Sequence, residues 1–533
     1  LTAAEQGMKV ILVDENFHIG GSFDYQWCHD DQSISLHEQL KQKVIAHDFI
    51  TIKTETIAAG YYSDHWIPLS GPQGIAKTRV KSVIVASGLL EQPAVFHNND
   101  LPGVLLMSAA QRMIARYAVK PAHDAVLLVA NEEGYRGALD LIHAGINIVA
   151  IADLGDASQR GELVEELKSK DITILSNHTV YEAGGKEAVT SALLAPVDEE
   201  GYCDLSAEKV FSCDAIIMSV GWSPASHLLY QAGGKLSYDG VLNQIVPVEL
   251  PVGIFAAGRV NGVFQLADQL QDGIRAARAS CAEIKDEVID IDPLQFRDKL
   301  SHSSNWPIVS HPKNKNFIDF DEDLQLKDLL DAAQEGFDNI ELLKRFSTVG
   351  MGPSQGKHAN MNAIRVLAKT LGQDIDQTGS TTARPFYHPV RINDLAGRRF
   401  RVHRNSALQD QHIKHNAVFM EAGVWLRPEF YGDASQRELM IREEVQSVRQ
   451  GLGLIDVSTL GKIDVLGPDA AKLLDAAYTM RMTNIKDGMT RYALMVDESG
   501  VIIDDGIVGR LDDERYYLTA TTSHADTTYR LLG

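Results

Sequence analysis

Cysteine is scarce in this 533-residue chain: Cys28, Cys203, Cys213 and Cys281 are the only four, and no two stand in a C-x-x-C spacing. That scarcity excludes a disulfide framework and a zinc site built on paired cysteines, and it fits a reducing cytoplasm. Long apolar runs are missing too; none approaches the roughly 18 residues needed to cross a bilayer, so no transmembrane helix is expected. Basic residues are in deficit, 50 Lys+Arg against 72 Asp+Glu, for a formal charge of −22. Such a balance argues against nucleic acid or an anionic membrane surface as partner, although a few basic residues can still line a local anion site. The chain opens on Leu1 without Met and without a charged n-region, so no signal peptide is expected. What remains is ordinary globular text, 44% hydrophobic and 23% charged. Disorder, collagen and coiled coil are therefore excluded. At roughly 150 residues per domain, the length suggests three or four domains.

The first segment reads as the second half of a β-α-β unit. Helix-like text, Leu1-Thr2-Ala3-Ala4-Glu5-Gln6-Gly7, runs into the apolar strand Lys9-Val10-Ile11-Leu12-Val13, which ends on Asp14-Glu15. In a dinucleotide fold an acid at that strand end accepts hydrogen bonds from the adenosine ribose; an ordinary strand ending in carboxylates is the plainer alternative. The glycine-rich phosphate loop would precede Leu1, so the text is expected to be a window on a longer chain. Gly20-Gly21-Ser22 follows, and two apolar strands end in small residues, Val83-Ile84-Val85-Ala86-Ser87-Gly88 and Gly253-Ile254-Phe255-Ala256-Ala257-Gly258. Small residues at strand ends let backbone approach a flat cofactor. In this order the elements resemble the nucleotide-binding half of the pyridine-nucleotide–disulfide reductase-like fold. Flavin-binding members carry Asp after the last motif; here it is Arg259, which favours NAD over FAD.

Between these halves lies a second α/β unit: a strand over Ala125–Ala130, a helix from Gly137 to His143 and a strand from Ile146 to Ala152. Its turn, Ala130-Asn131-Glu132-Glu133-Gly134-Tyr135-Arg136-Gly137, lacks the early glycines of G-x-G-x-x-G and puts carboxylates where a pyrophosphate would sit. One nucleotide site is therefore expected rather than two. The return strand around Cys213–Pro224 again resembles the reductase fold.

From about Asp286 to Pro307 the text turns polar and reads as a linker. Asp319-Phe320-Asp321-Glu322-Asp323 then precedes an amphipathic helix beginning at Leu324. In the following stretch, Lys344-Arg345-Phe346-Ser347-Thr348-Val349-Gly350-Met351-Gly352-Pro353-Ser354-Gln355-Gly356-Lys357, basic residues, hydroxyls and glycines interleave, so one anion could be held through loop N–H groups and Lys. A solvated turn is the bland alternative, and Met351 reads as a gap filler.

The last segment, from Arg384, carries Val424-Trp425-Leu426-Arg427-Pro428, Gly453-Leu454-Ile455-Asp456-Val457-Ser458, Gly467-Pro468-Asp469-Ala470, Tyr492-Ala493-Leu494-Met495 and Gly500-Val501-Ile502-Ile503-Asp504-Asp505-Gly506. That order resembles the amino-terminal part of the glycine-cleavage T-protein, a tetrahydrofolate-binding fold. A carboxylate at the Asp504-Asp505 turn suits amine-to-methylene transfer, which needs a base or charge stabiliser; Asp-Asp-Gly is also a routine hairpin turn. His403, His412 and His415 read as a polar surface loop without nearby carboxylates, so no metal is expected. Cys28 beside Trp27 reads as packing.

The fold class expected is thus α/β and α+β multidomain: a reductase-like two-unit Rossmann-type nucleotide-binding domain, a helical connector and a partial T-protein-like folate domain. The boundaries expected are 1–118 for the first part of the nucleotide-binding domain, 119–240 for the inserted degenerate unit, 241–285 for the return, 286–383 for linker and connector, and 384–533 for the folate domain. The combination, with Thr348-Val349-Gly350-Met351 and Gln355-Gly356-Lys357 in the connector, resembles the alpha subunit of heterotetrameric sarcosine oxidase. A proline or opine dehydrogenase alpha chain and a standalone NAD(P)H-dependent flavin reductase are alternatives; the T-protein-like tail argues against the former, and the missing second glycine-rich loop and redox cysteine pair against the latter.

The resemblance implies oxidative demethylation of sarcosine to glycine, with O2 giving H2O2. It also implies capture of the one-carbon unit as 5,10-methylenetetrahydrofolate, or its release as formaldehyde. Cytoplasmic beta, gamma and delta subunits would be partners, with FAD in the beta subunit and amine oxidation located there. The alpha chain would hold redox-inactive NAD, with Asp14 and Glu15 at the ribose, Gly21 and Ser22 near the pyrophosphate, and Ala257 and Gly258 at the far end. FMN, shared with the beta subunit, would take phosphate contacts from Lys344, Arg345, Thr348, Gln355 and Lys357. Tetrahydrofolate would meet Tyr492, Thr521 and the catalytic Asp505. Related connectors hold an iron–sulfur cluster through four cysteines; none follows Cys281, which excludes a cluster here.

Overall fold

Two apolar strands ending in small residues become neighbours: Val83–Val85 and Ile254–Ala256 pair in parallel, Val83 opposite Ile254 and Val85 opposite Ala256. In this computed structural model, which describes residues 1–27, 29–198, 200–288, 301–396 and 401–533, the chain forms two compact units, Leu1–Ala396 and Gly397–Gly533. Among the described residues no helix is long and apolar enough to cross a membrane. Cys28 lies outside the described residues, as does 289–300 of the expected linker.

In the first unit the strand Val10–Val13 pairs in parallel with Ile50–Lys53, which places Asp14 just past a parallel strand end. The long helix Leu266–Lys285 packs against the Val83–Val85 and Ile254–Ala256 strands and against the short helix Thr2–Glu5. The inserted unit is a five-stranded parallel sheet in the order Thr173–Ser176, Asn147–Asp153, Asp124–Val129, Ala215–Ser219, Val104–Leu106. Its strands are buried on both faces, hence nearly continuous apolar runs such as Ala125–Val129. The helix Glu132–His143 covers one face, with Tyr135, Ala138 and Leu141 fully buried.

The connector packs Leu326–Gln334, Ile340–Ser347 and Asn360–Leu371 around Leu329, Leu343, Ile364 and Leu367. The helix expected after the acidic run starts later and is capped differently. Gln325 and Asp328 form a reciprocal capping box, while Asp319 and Asp321 face the loop that follows. The compact boundary falls after Ala396 and not at 384, because Lys357 Nζ donates to Tyr387 O (3.0 Å) and Arg391 to Gly71 O (2.7 Å), tying this stretch to the first unit.

The second unit contains the hairpin Ala417–Ala422/Trp425–Tyr431 and a four-stranded antiparallel sheet. The sheet order is Gly461–Leu466, Arg515–Ala520, Ile502–Arg510, Thr490–Val496. Its core face carries Ala493, Met495, Val508, Tyr516 and Leu518. Asp504-Asp505-Gly506 is therefore not a turn. It lies inside the strand, Asp504 opposite Met495 and Asp505 opposite Leu494, and the real turn is at Asp497–Gly500.

Candidate functional site

The residues expected to hold a nucleotide lie around the ends of parallel strands. Asp14 Oδ1 accepts from the backbone and side-chain N–H groups of Asn16, both at 2.9 Å. Glu15 beside it is exposed, while Gly21 and Ser22 start the 3-10 turn Gly21–Asp24. Gly20 adopts φ +142°, a backbone conformation that side-chain-bearing residues rarely take, and a Cβ there would also lie 2.8 Å from His37 Nε2. Sequence reasoning missed Arg116, whose guanidinium donates to Asn16 Oδ1 (2.8 Å) and to Asp24 (3.0 Å), stapling the two sides of the cradle together. At the far end Gly258 adopts φ +74° and donates its N–H to the buried Asp272 (2.8 Å), which also holds Asn261 and Arg275. A Cβ at Gly258 would meet nothing within 4 Å, so space is open beside the turn. The acids, the open glycine turn and the buried anchor fit a dinucleotide.

Two separate oddities of the sequence turn out to be partners. Arg259, standing where a flavin fold has Asp, forms an ion pair with Glu133, one of the carboxylates that replace the second glycine-rich loop. Both side chains are mostly buried. Asn131 caps the helix by accepting from Gly134 N–H (3.0 Å) and donates to His302 O (3.0 Å). Ser303 Oγ accepts from Trp222 N–H (2.9 Å), and Ser304 N–H donates to Val220 O (2.8 Å). The described end of the expected linker is thus packed chain: residues 301–304 fill the crevice at the carboxyl ends of Asp124–Val129 and Ala215–Ser219, where an open α/β sheet would take a ligand.

A cavity of about 240 Å³ lies between the connector and the nucleotide-binding part of the same unit. Of the five predicted phosphate contacts, Lys344, Gln355 and Lys357 line it; Arg345 and Thr348 do not. Arg345 is exposed and paired with Glu341 (3.2 Å), and Thr348 donates to Glu322 (3.0 Å). Four of the loop N–H groups expected to cradle an anion are already used: Gly350 donates to Asp319, Ser354 to Asp321, Gln355 to Gly352 O and Lys357 to Ser354 O. What those four N–H groups would have offered an anion falls to side chains. Lys357 Nζ donates to Ser354 O and Tyr387 O, each at 3.0 Å, and lies 4.2 Å from the Tyr387 ring centroid, so it braces the cavity wall as much as it offers charge. Burial lowers its pKa, opposed by Glu15 and Asp321. Lys344 has no ion-pair partner among the described residues. Met351 is half exposed at the cavity and fills no core gap.

Sequence reasoning also missed His227, Gln92 and Tyr387 in this lining. The His227 ring stacks on Tyr387 (centroids 4.5 Å apart, planes at 15°), and burial pushes its pKa down to about 3. Burial likewise takes His388 to about 4. Both imidazoles are neutral at neutral pH. No Asp or Glu lines the cavity among the described residues.

In the second unit Tyr492 and Asp505 meet. They lie on adjacent strands, on the face opposite the core, and Tyr492 O–H donates to Asp505. Holding that proton against the carboxylate raises the Tyr492 pKa. Thr521 is not with them: its hydroxyl (2.7 Å) and N–H (3.2 Å) donate to Asp504, which is buried and also accepts from Thr528 (2.6 Å). Asp504 is thus tied into the fold and Asp505 is presented. His412 departs from the surface-loop reading as well. It is buried in the helix Gln409–Lys414, with Nδ1 against Tyr431 O–H and Nε2 against Asp456, both at 2.8 Å. His403 lies 4.0 Å from Glu421, and His415 is an exposed residue bonded to Gln411 O. Elsewhere His97, Glu182 and His311 cluster within reach of one ion. The two imidazoles, however, are stacked 4.0 Å apart at 13°, and no ion can lie in both ring planes.

Comparison with known proteins accounts for this arrangement. Residues 313–398 match the family model of the sarcosine oxidase A3 domain, and residues 408–533 match the GCVT N-terminal domain. The sarcosine oxidase subunit alpha of Rhizobium meliloti (strain 1021) is 32% identical over 98% of this chain and 54% of its own length. That of Corynebacterium sp. (strain U-96) is 29% identical over 98% of this chain and 57% of its own. The chain spans about half the length of these curated relatives. Among solved structures, an L-proline dehydrogenase from P. horikoshii shares the fold, with a TM-score of 0.58 and 19% identity over 74% of this chain and 76% of that one. The chain belongs to the sarcosine oxidase subunit alpha family.

Proposed function

We propose that this chain works as the alpha subunit of a sarcosine oxidase, in which sarcosine is demethylated oxidatively to glycine, O2 becomes H2O2, and the one-carbon unit passes to tetrahydrofolate or leaves as formaldehyde. The observation that carries the reading is the succession, in one chain, of the A3-type connector and a T-protein-like domain behind a dinucleotide cradle. In this reading beta, gamma and delta subunits are the partners, the beta subunit holds FAD, and the complex is cytoplasmic.

Asp14, Glu15, Gly21, Ser22, Ala257 and Gly258 would hold NAD as a structural group. Arg259, committed to Glu133, offers nothing to a ribityl chain, which favours NAD over FAD. Lys344 would carry the main charge toward the FMN phosphate, with Gln355 and Lys357 beside it; Arg345 and Thr348 would reach the group only by leaving Glu341 and Glu322. Bound FMN would supply one-electron and two-electron redox chemistry there. In the second unit Tyr492 orients Asp505, and the Asp505 carboxylate would stabilise positive charge or take a proton at the folate amine. Tetrahydrofolate supplies that amine when bound. Thr521 would act through Asp504, shaping the site from behind.

The test is to purify the complex that forms around this chain, identify the released small molecules by mass spectrometry, and assay sarcosine-dependent peroxide. NAD and FMN in stoichiometric amount with peroxide formed from sarcosine support the reading. Absence of NAD together with FAD in excess of the one that the beta subunit holds, or no turnover of sarcosine, overturns it. The second reading, an alpha chain of a proline- or opine-oxidising complex, draws on the fold shared with the L-proline dehydrogenase and on an opine oxidase chain of Rhizobium meliloti (strain 1021), 21% identical over 74% of this chain and 94% of its own length. Oxidation of proline or an opine in place of sarcosine would select it.

A further inference from the structure

One wall of the cavity is held far more loosely than the others. The helix Asn360–Leu371 is anchored in the connector core through Ile364 and Leu367, and the loop before it is tied to Asp319 and Asp321. Residues 380–384, by contrast, line the cavity as an irregular stretch of chain. From 380 to 390 the backbone makes no hydrogen bond to other main chain among the described residues. Its ties involve side chains: Ser380 Oγ meets Tyr230 O–H at 3.0 Å, and Thr382 N–H reaches Glu341 at 3.4 Å. Both ends of the stretch are firm. Before it, Asp374 and Gln377 close a capping box on the short helix Ile375–Thr378, and Thr378 is buried. After it, Tyr387 stacks on His227 and its carbonyl accepts from Lys357 Nζ. A stretch without main-chain bonds between firm ends opens at low cost.

A joint and a latch are both present. Gly379 has φ +80° and ψ −173°, a region open essentially to glycine alone, so the chain enters the stretch free of side-chain constraint. Farther along, the exposed Pro385 lies directly over the buried Gly60: a Cβ built at Gly60 would stand 2.9 Å from Pro385 Cβ. The Gly60 φ lies outside the left-handed region, so the Pro385 ring is what a side chain there would push. The cavity, about 240 Å³, is below the roughly 300–1,000 Å³ of full small-molecule sites, so a wall moves before a larger ligand enters. The lining charges Lys344, Lys357 and Arg384 select an anion, and Arg384 rides on the stretch itself. We propose that residues 380–386 are a strap, hinged at Gly379 and latched at Pro385, that lifts to admit an anionic ligand and closes to bring Arg384 onto it. The strap acts on any such ligand, FMN included.

The experiment locks the latch in the purified full chain. Gly60→Cys with Pro385→Cys sets two Cβ atoms close to the roughly 3.5–4.5 Å of a disulfide, reached when the strap gives slightly. Ser226→Cys, in the cavity lining, reports access through its labelling by N-ethylmaleimide, followed by mass spectrometry of its peptide. The expected result is labelling slower by about tenfold or more in the oxidised triple variant than in Ser226→Cys alone. Gly60→Ala, added to Ser226→Cys, pushes on Pro385 without tying it and should speed labelling about threefold. Circular dichroism confirms that each variant is folded. Labelling at one rate in the locked, parent and wedged proteins overturns the proposal, as does failure of Cys at 60 and 385 to join under oxidation. Flavin is absent from the assay, so its outcome is independent of the FMN reading.

Discussion

Replacing His227 by Phe should flatten the acid limb of the first unit's stability profile. Burial, with smaller repulsion from His388 and Lys357, holds the folded-state pKa near 3 against an ordinary 6.5. A histidine whose pKa is lowered on folding costs nothing above pH 6.5. As the pH falls below that value, the unfolded chain takes up a proton that the folded chain refuses, and stability is lost until the pH reaches the folded pKa. The slope is about 1.4 kcal/mol per pH unit, so between pH 7 and pH 5 His227 alone removes about 2 kcal/mol. His388, lowered to about 4, acts in the same sense. Glu91 acts oppositely: burial raises it to about 7, so its contribution falls as the pH rises from about 4.5 to 7. For that reason the diagnostic quantity is the difference between wild type and variant. Urea unfolding followed by tryptophan fluorescence at pH 7, 6 and 5 should show the two stabilities converging by about 2 kcal/mol. Curves that stay parallel would refute a neutral, buried His227.

Three further outcomes are expected. Asp504→Ala strands three donors and should destabilise the second unit by about 3 kcal/mol or more, whereas Asp505→Ala, with Tyr492 as its partner, should cost under about 1 kcal/mol and instead weaken folate binding; chemical denaturation and tetrahydrofolate titration separate the two. Arg259→Ala leaves Glu133 unpaired and should cost about 2–4 kcal/mol in melting experiments, with more than half recovered in the Arg259→Ala/Glu133→Gln double variant. Lys344→Ala should weaken FMN binding at least tenfold and leave riboflavin, which has no phosphate, unchanged in fluorescence titration.

What the sequence made legible was local. Strand ends such as Val83–Gly88 and Ile254–Gly258 announce themselves by apolar runs closing on small residues, and their pairing follows from the fold they resemble. Pairings between distant positions were not legible. Arg259 and Glu133 are 126 residues apart, and nothing in either neighbourhood names the other. The cavity residues Gln92, His227, Lys344 and Tyr387 come from four separate stretches, so no motif contains them. Asp504-Asp505-Gly506 misled because its turn chemistry was overridden by cross-strand pairing. The side chains at Asp497 and Ser499 and the backbone at Gly500 make the turn a few residues earlier. His412 misled because its partner Asp456 is 44 residues away and reaches it only in the folded unit.

The proposed passage of a one-carbon unit to tetrahydrofolate at the T-protein-like unit has a direct readout: formaldehyde released from sarcosine by the complex formed around this chain, with and without tetrahydrofolate. Stoichiometric formaldehyde without folate, falling steeply when folate is added and failing to fall in Asp505→Ala, is the expected result. Formaldehyde release that ignores folate in the wild-type complex would contradict it.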